Sequence, residues 1–220
     1  MKTLKLLAVL LSYPSAELVA ALPEIARRLV AESRLRGATQ DALAGLVAEL
    51  NREDLLDLQE RYVAQFDTGR STSLHLFEHV HGDSRDRGQA MVDLNALYRR
   101  AGFVLAVNEL PDYLPALLEY LAARPEDEVL ELLGDCVHIL RAVGERLLDS
   151  DSPYAAIFAA LLDLHGEAPL ARPKRPGKAQ AEKSLDEDWD EAAVEFGPNA
   201  APHGAQQSRP QFIRFVPKNP

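Results

Sequence analysis

The sequence predicts an all-α protein, a single-domain helical bundle over residues 1–165 followed by a largely disordered tail over 166–220. Three observations predict it. Leu and Ala dominate the first 165 residues, and β-branched runs with strict alternation are absent. Several stretches repeat apolar residues at helical spacing. At Gly166 the composition changes abruptly: eight of the fourteen prolines lie beyond it. With 47% apolar residues, the chain can bury one substantial core.

The elements follow in chain order. A first helix is expected over Thr3 to Ser12, ended by Tyr13-Pro14. Met1 to Leu11 also mimics a secretory signal, but the Leu6–Leu11 run is short for one, so the segment reads as a core helix. Ser15 is a candidate cap for the second helix, with Glu17 in its first turn, and Pro23 is expected to break or restart it. Gly37 reads as a stop and Thr39 as the cap of a third helix. Asn51 reads as the next cap, ahead of Leu55, Leu58, Tyr62 and Phe66 on one face.

Residues 67–73 read as a loop. A short helix is expected from Leu74 to Val80, then another opened by Ser84 that buries Met91, Leu94, Tyr98 and Ala101. Asn108 to Pro111 is a linker. The clearest helix spans Glu126 to Asp149: Val129, Leu132, Leu133, Cys136, Leu140, Val143 and Leu147 form one stripe, opposed by Glu128, Glu131, Asp135, His138 and Glu145. Ser152-Pro153 starts a last helix that ends near His165-Gly166. The tail carries a basic run near Arg172 and an acidic run from Asp186 to Glu191. It has two candidate docking points, Trp189 with Val194 and Phe196, and Phe212-Ile213 with Phe215-Val216.

Charge and cysteine usage narrow the function. A net charge of −10 disfavours nucleic acid and anionic lipid as partners and favours a basic peptide. The apolar runs are too short for a membrane span. A single cysteine, Cys136, excludes an internal disulfide and a multi-cysteine metal site, and fits a reducing compartment such as the cytoplasm. Cys136 lies within an apolar stripe, so an inert core thiol is expected. There is no Gly-x-Ser-x-Gly elbow and no phosphate-binding glycine loop. No catalytic residue and no resident cofactor are assigned.

The densest polar cluster is residues 74–88, LHLFEHVHGDSRDRG, which holds three of the six histidines. On a helix, His75 and His79 share a face at i, i+4 with Glu78 beside them, and two such imidazoles can chelate a metal. The order His-Glu-x-x-His of helical zinc enzymes is not matched, because Glu78 directly precedes His79. A metal-dependent hydrolase built on this cluster is one alternative, and a helical adaptor without a redox client is another. Otherwise the cluster reads as a helix end, with Asp83 and Ser84 capping the next helix, or as a polar turn able to hold a peptide.

Residues 74–94, LHLFEHVHGDSRDRGQAMVDL, closely resemble the signature of NarJ-type nitrate reductase chaperones, often called the delta subunit. The opening Leu10-Leu11-Ser12-Tyr13-Pro14, the linker Glu109 to Pro115, and Ser184 to Trp189 with Glu195-Phe196-Gly197 are similar to the family's start, linker and tail. The resemblance implies an all-α fold of the TorD/NarJ type. The linker carries Asp112-Tyr113 where relatives serving other molybdoenzymes carry Asp-His. It also implies a non-enzymatic, cytoplasmic chaperone. Such a chaperone binds the N-terminal segment of the apo catalytic (alpha) subunit within the apo alpha–beta complex. It holds that subunit open for molybdenum cofactor and iron–sulfur cluster insertion and delays membrane docking. Molybdenum cofactor biosynthesis proteins are implied as further partners. The candidate peptide-binding residues are Tyr13, Tyr62, Phe66, His75, Glu78, His79, His81, Leu94, Tyr98 and Asp112, with Asp83 and Arg85 on the rim.

Overall fold

The computed structural model describes residues 1–31, 34–80, 85–105 and 109–172, with Arg85 described by its backbone only. His81, Asp83, the Arg85 side chain, Ser84 as a cap and both tail docking points lie outside the described residues. Eight α-helices are present among them: α1 (Lys2–Leu11), α2 (Ala16–Val30), α3 (Gly37–Leu50), α4 (Leu55–Phe66), α5 (Arg85–Arg100), α6 (Leu114–Ala122), α7 (Glu126–Asp149) and α8 (Ala155–His165). Two 3-10 turns, Arg70–Thr72 and Leu76–Glu78, follow α4. The fold is all-α, as the residue pattern predicts. No helix among the described residues is long and apolar enough to cross a membrane.

α1 is the centre of the packing. Leu4, Leu7, Ala8, Leu10 and Leu11 are fully buried, and the helix lies against α6, α2 and α8. A helix that is apolar on most sides belongs in an interior. The long helix α7 buries every residue of its expected stripe and adds Ile139 and Gly144. It packs along α8, where the Gly144 backbone comes so close that a Cβ there would stand 2.8 Å from the Phe158 Cβ. Each such buried aliphatic side chain contributes about 1.5–3 kcal/mol. Gly166 ends α8 in the left-handed region at φ 86°, which glycine adopts without steric cost.

Four boundaries differ from the sequence expectation, each for a physical reason. Pro23 does not break α2. Leu18, Leu22, Ile25 and Leu29 bury one face on both sides of it, which outweighs the roughly 3 kcal/mol cost of an interior proline. Gly37 opens α3 rather than ending α2, and Thr39 is buried inside the helix instead of capping it. There the backbone N–H of Arg36 donates to Asp163 Oδ2 at 2.6 Å, from a residue 127 positions away. Asn51 is the C-cap of α3, and Asp54 caps α4 by accepting from the N–H groups of Leu56 and Asp57. Finally, Leu74–Val80 is not a helical segment: His75 is extended and forms an antiparallel bridge with Tyr113, leaving a single 3-10 turn.

Candidate functional site

The bridge joins the segment after α4 to the segment before α6. Leu76 N–H donates to the Asp112 carbonyl at 3.0 Å, and Leu114 N–H to the Leu74 carbonyl at 2.8 Å. This brings the buried Asp112 side chain beneath the 3-10 turn. Its Oδ2 accepts from the Phe77 N–H at 3.1 Å, and its Oδ1 lies 3.2 Å from His75 Nδ1. A carboxylate only accepts, so the His75 proton sits on Nδ1. That bond to Asp112 raises the His75 pKa above the usual imidazole value, while partial burial opposes the shift.

The His75 ring lies 5.4 Å from the Tyr113 ring, tilted by 35°. Tyr113 Oη is 2.9 Å from Tyr62 Oη, which is 2.8 Å from the Leu11 carbonyl. The carbonyl takes the single Tyr62 proton, so Tyr113 donates to Tyr62. Burial pushes the Tyr62 phenol far above its ordinary value and keeps it a neutral donor. Tyr13 stands edge-on to Tyr62 at 5.5 Å and is 51% exposed. A continuous strip therefore runs from Tyr13 through Tyr62 and Tyr113 to His75. Beyond it, Glu78 pairs with Arg87 of α5 at 3.4 Å, and His79 Nε2 donates to the Ser73 carbonyl at 2.9 Å.

The expected residues thus divide. Tyr13, Tyr62, His75, Glu78, His79 and Asp112 gather around the bridge. Phe66, Leu94 and Tyr98 do not line a groove; they are core residues, 4%, 0% and 1% exposed, and Tyr62 and Asp112, at 4% and 0%, are as buried and support the bridge from beneath. Phe66 packs on Tyr62 and Tyr154, and Tyr98 donates to the Pro111 carbonyl, which fixes the linker from inside. The helical face shared by His75 and His79 is not formed: their rings turn to Asp112 and Ser73, and Glu78 turns to Arg87. Tyr113, Arg87 and Ser73 were missing from the expected set. The Asp112-Tyr113 pair was visible in the linker, but the bridge that places Tyr113 beside His75 spans 38 positions and leaves no local pattern.

A family model described as nitrate reductase delta subunit matches residues 32–160, which include the whole bridge. The chain belongs to the nitrate reductase delta subunit family. It is 43% identical over 195 residues to a protein of Escherichia coli (strain K12) named nitrate reductase molybdenum cofactor assembly chaperone NarJ, covering 85% of this chain and 81% of that one. It is 40% identical over 203 residues to the E. coli (strain K12) probable nitrate reductase molybdenum cofactor assembly chaperone NarW, covering 89% and 84%. A Bacillus subtilis (strain 168) protein, also named a probable chaperone NarJ, is 32% identical over 167 residues, covering 73% and 86%. For this delta subunit family member, the signature residues 74–80 include the extended turn held by Asp112, not a helix.

Proposed function

We propose that this chain is a cytoplasmic, non-enzymatic assembly chaperone of a respiratory nitrate reductase. It binds the N-terminal segment of the apo catalytic subunit and holds it ready for molybdenum cofactor and iron–sulfur cluster insertion before membrane docking. The observation that carries this reading is the 43% identity, over most of both chains, to a protein named a nitrate reductase molybdenum cofactor assembly chaperone.

The client segment docks along the strip Tyr13–Tyr113–His75–Glu78. Exposed and half-buried rings accept apolar side chains at low entropic cost, because each ring is already fixed by a neighbour or a hydrogen bond. His75 and Glu78 present polar groups at one end. The acidic chain, net −10, attracts a basic segment and speeds encounter.

Calorimetry of the full chain with a peptide from the catalytic subunit's N-terminus tests this. Glu78→Ala with His79→Ala is expected to weaken binding about tenfold or more, equivalent to about 1.4 kcal/mol. Unchanged affinity removes the site. Capture of the apo catalytic subunit, and not the mature one, is the expected result of a pull-down; equal capture of both removes the chaperone reading.

A further inference from the structure

An open apolar groove of about 350 Å³ lies between α2 and α3. Leu22, Pro23 and Leu29 line one wall and Ala44, Val47 and Ala48 the other, with Asp41 on the rim. Val30 at its edge is 73% exposed. None of the residues of the tyrosine–histidine strip lines it. Asp41 makes no ion pair among the described residues, and the groove is open and lined mainly by apolar side chains, the composition of a binding cleft.

We propose that this groove is the docking site of the chain's own C-terminal segment Gln211–Pro217, whose Phe212, Ile213, Phe215 and Val216 cover the apolar walls while Arg214 meets Asp41. Charge selects this segment over the other apolar cluster of residues 173–220. Residues 1–172 hold 17 Lys and Arg against 27 Asp and Glu, which is the whole of the chain's net −10. The cluster Trp189, Val194 and Phe196 sits among Asp186, Glu187, Asp188, Asp190, Glu191 and Glu195, so like charge opposes its approach. Residues 209–220 carry Arg209, Arg214 and Lys218 and no acidic side chain. Attraction and apolar content coincide only there.

Size and reach agree. A cleft of 350 Å³ lies at the lower end of the range for small-ligand sites, about 300–1,000 Å³, enough for two or three large side chains. The 38 residues from 173 to 210 can span on the order of 125 Å when extended. A compact body of 172 residues has a radius of gyration of about 16 Å, so every point on its surface is within range. Tethering sets an effective concentration on the order of millimolar, so a weak intrinsic affinity is enough to fill the groove.

Cysteine pairs in the full chain test the proposal. The native Cys136 is buried and its thiol is pushed up to about 12, so it stays silent. Ala44→Cys with Val216→Cys is expected to form an intramolecular disulfide at least about tenfold faster than Ala44→Cys with Trp189→Cys. Asp41→Arg in the first pair is expected to slow it several-fold. Equal rates for the two pairs overturn the proposal, and so does a disulfide formed only between two chains, which marks a second copy as the occupant. Hydrogen exchange provides a measurement free of groove substitutions. Phe212→Ser with Phe215→Ser is expected to speed exchange in α2 and α3 alone. Unchanged exchange overturns the proposal, as does a slowing at the groove that appears only when the nitrate reductase segment is added.

Discussion

His75 Nδ1 lies 3.2 Å from Oδ1 of Asp112, a carboxylate with no exposed surface that sits 37 positions further along the chain. The same carboxylate holds the Phe77 N–H through its other oxygen. Asp112 therefore sets both the direction of the His75 ring and the path of the turn that follows it. Through the stacked Tyr113, this pair connects to Tyr62 and the end of α1. A buried carboxylate is costly unless its oxygens have donors, and here the imidazole supplies one and the backbone the other.

Asp112→Asn is expected to destabilise the chain by about 1–3 kcal/mol, because the amide NH₂ faces a donor that the second carboxylate oxygen now accepts. The variant also changes the pH dependence. His75 binds its proton more tightly in the folded chain than in the unfolded one, where its value is near 6.5. The stability it contributes is complete below that value and is lost as pH rises through the folded value. Urea midpoints measured between about pH 5 and pH 8 are expected to fall less steeply in Asp112→Asn than in the native chain. A parallel slope in the two proteins contradicts the role assigned to the pair.

Tyr13→Ala and Leu94→Ala separate surface recognition from folding. Tyr13 is half exposed and contributes mainly an edge-on ring contact with Tyr62. Its loss is expected to cost about 1 kcal/mol of stability or less while weakening the client peptide about tenfold. Leu94 is wholly buried, so Leu94→Ala is expected to cost about 2–5 kcal/mol and to leave the affinity of the remaining folded protein nearly intact. Thermal melts paired with calorimetry check both. Equal affinity losses in the two variants would mean that the peptide site reaches the core.

The helices were largely legible from residue pattern, and the site was not. α7 could be read to its ends because 24 residues of uninterrupted period leave little choice of face. Ser15 was legible because a serine cap acts within three residues. The start of α3 was not, since its acceptor is Asp163 on α8. The histidine segment was misjudged for the same reason. Its local spacing suits a helix, yet a bridge to Tyr113 and a carboxylate from the linker hold His75 extended. α6 was not expected although Pro115 stands in its first turn, and its start is also fixed at long range by the Leu114 N–H on the Leu74 carbonyl. Interactions within four residues can be read from a sequence, whereas those that bind Asp112 and Tyr113 into this site join positions 35 to 51 apart.

Three glycines on the helices offer a graded test of the packing. Gly45 of α3 has open space around the position of a Cβ, so Gly45→Ala is expected to stabilise the chain by about 0.5–1 kcal/mol through helix propensity alone. At Gly134 of α7 a Cβ would meet Nε2 of His165 at 3.0 Å, the far end of a side chain that can turn aside. Gly134→Ala is therefore expected to be nearly neutral, the propensity gain offset by the displaced ring. At Gly144 a Cβ would meet Phe158 Cβ at 2.8 Å and Leu170 Cδ1 at 2.9 Å. Phe158 Cβ is fixed to the α8 backbone, so no rotation relieves the clash and the two helices must move apart. Gly144→Ala is expected to cost about 1–3 kcal/mol despite its better propensity. Urea denaturation of the three variants should order them Gly45→Ala, Gly134→Ala, Gly144→Ala from most to least stable. A neutral Gly144→Ala would contradict the close approach of α7 and α8 on which the core depends.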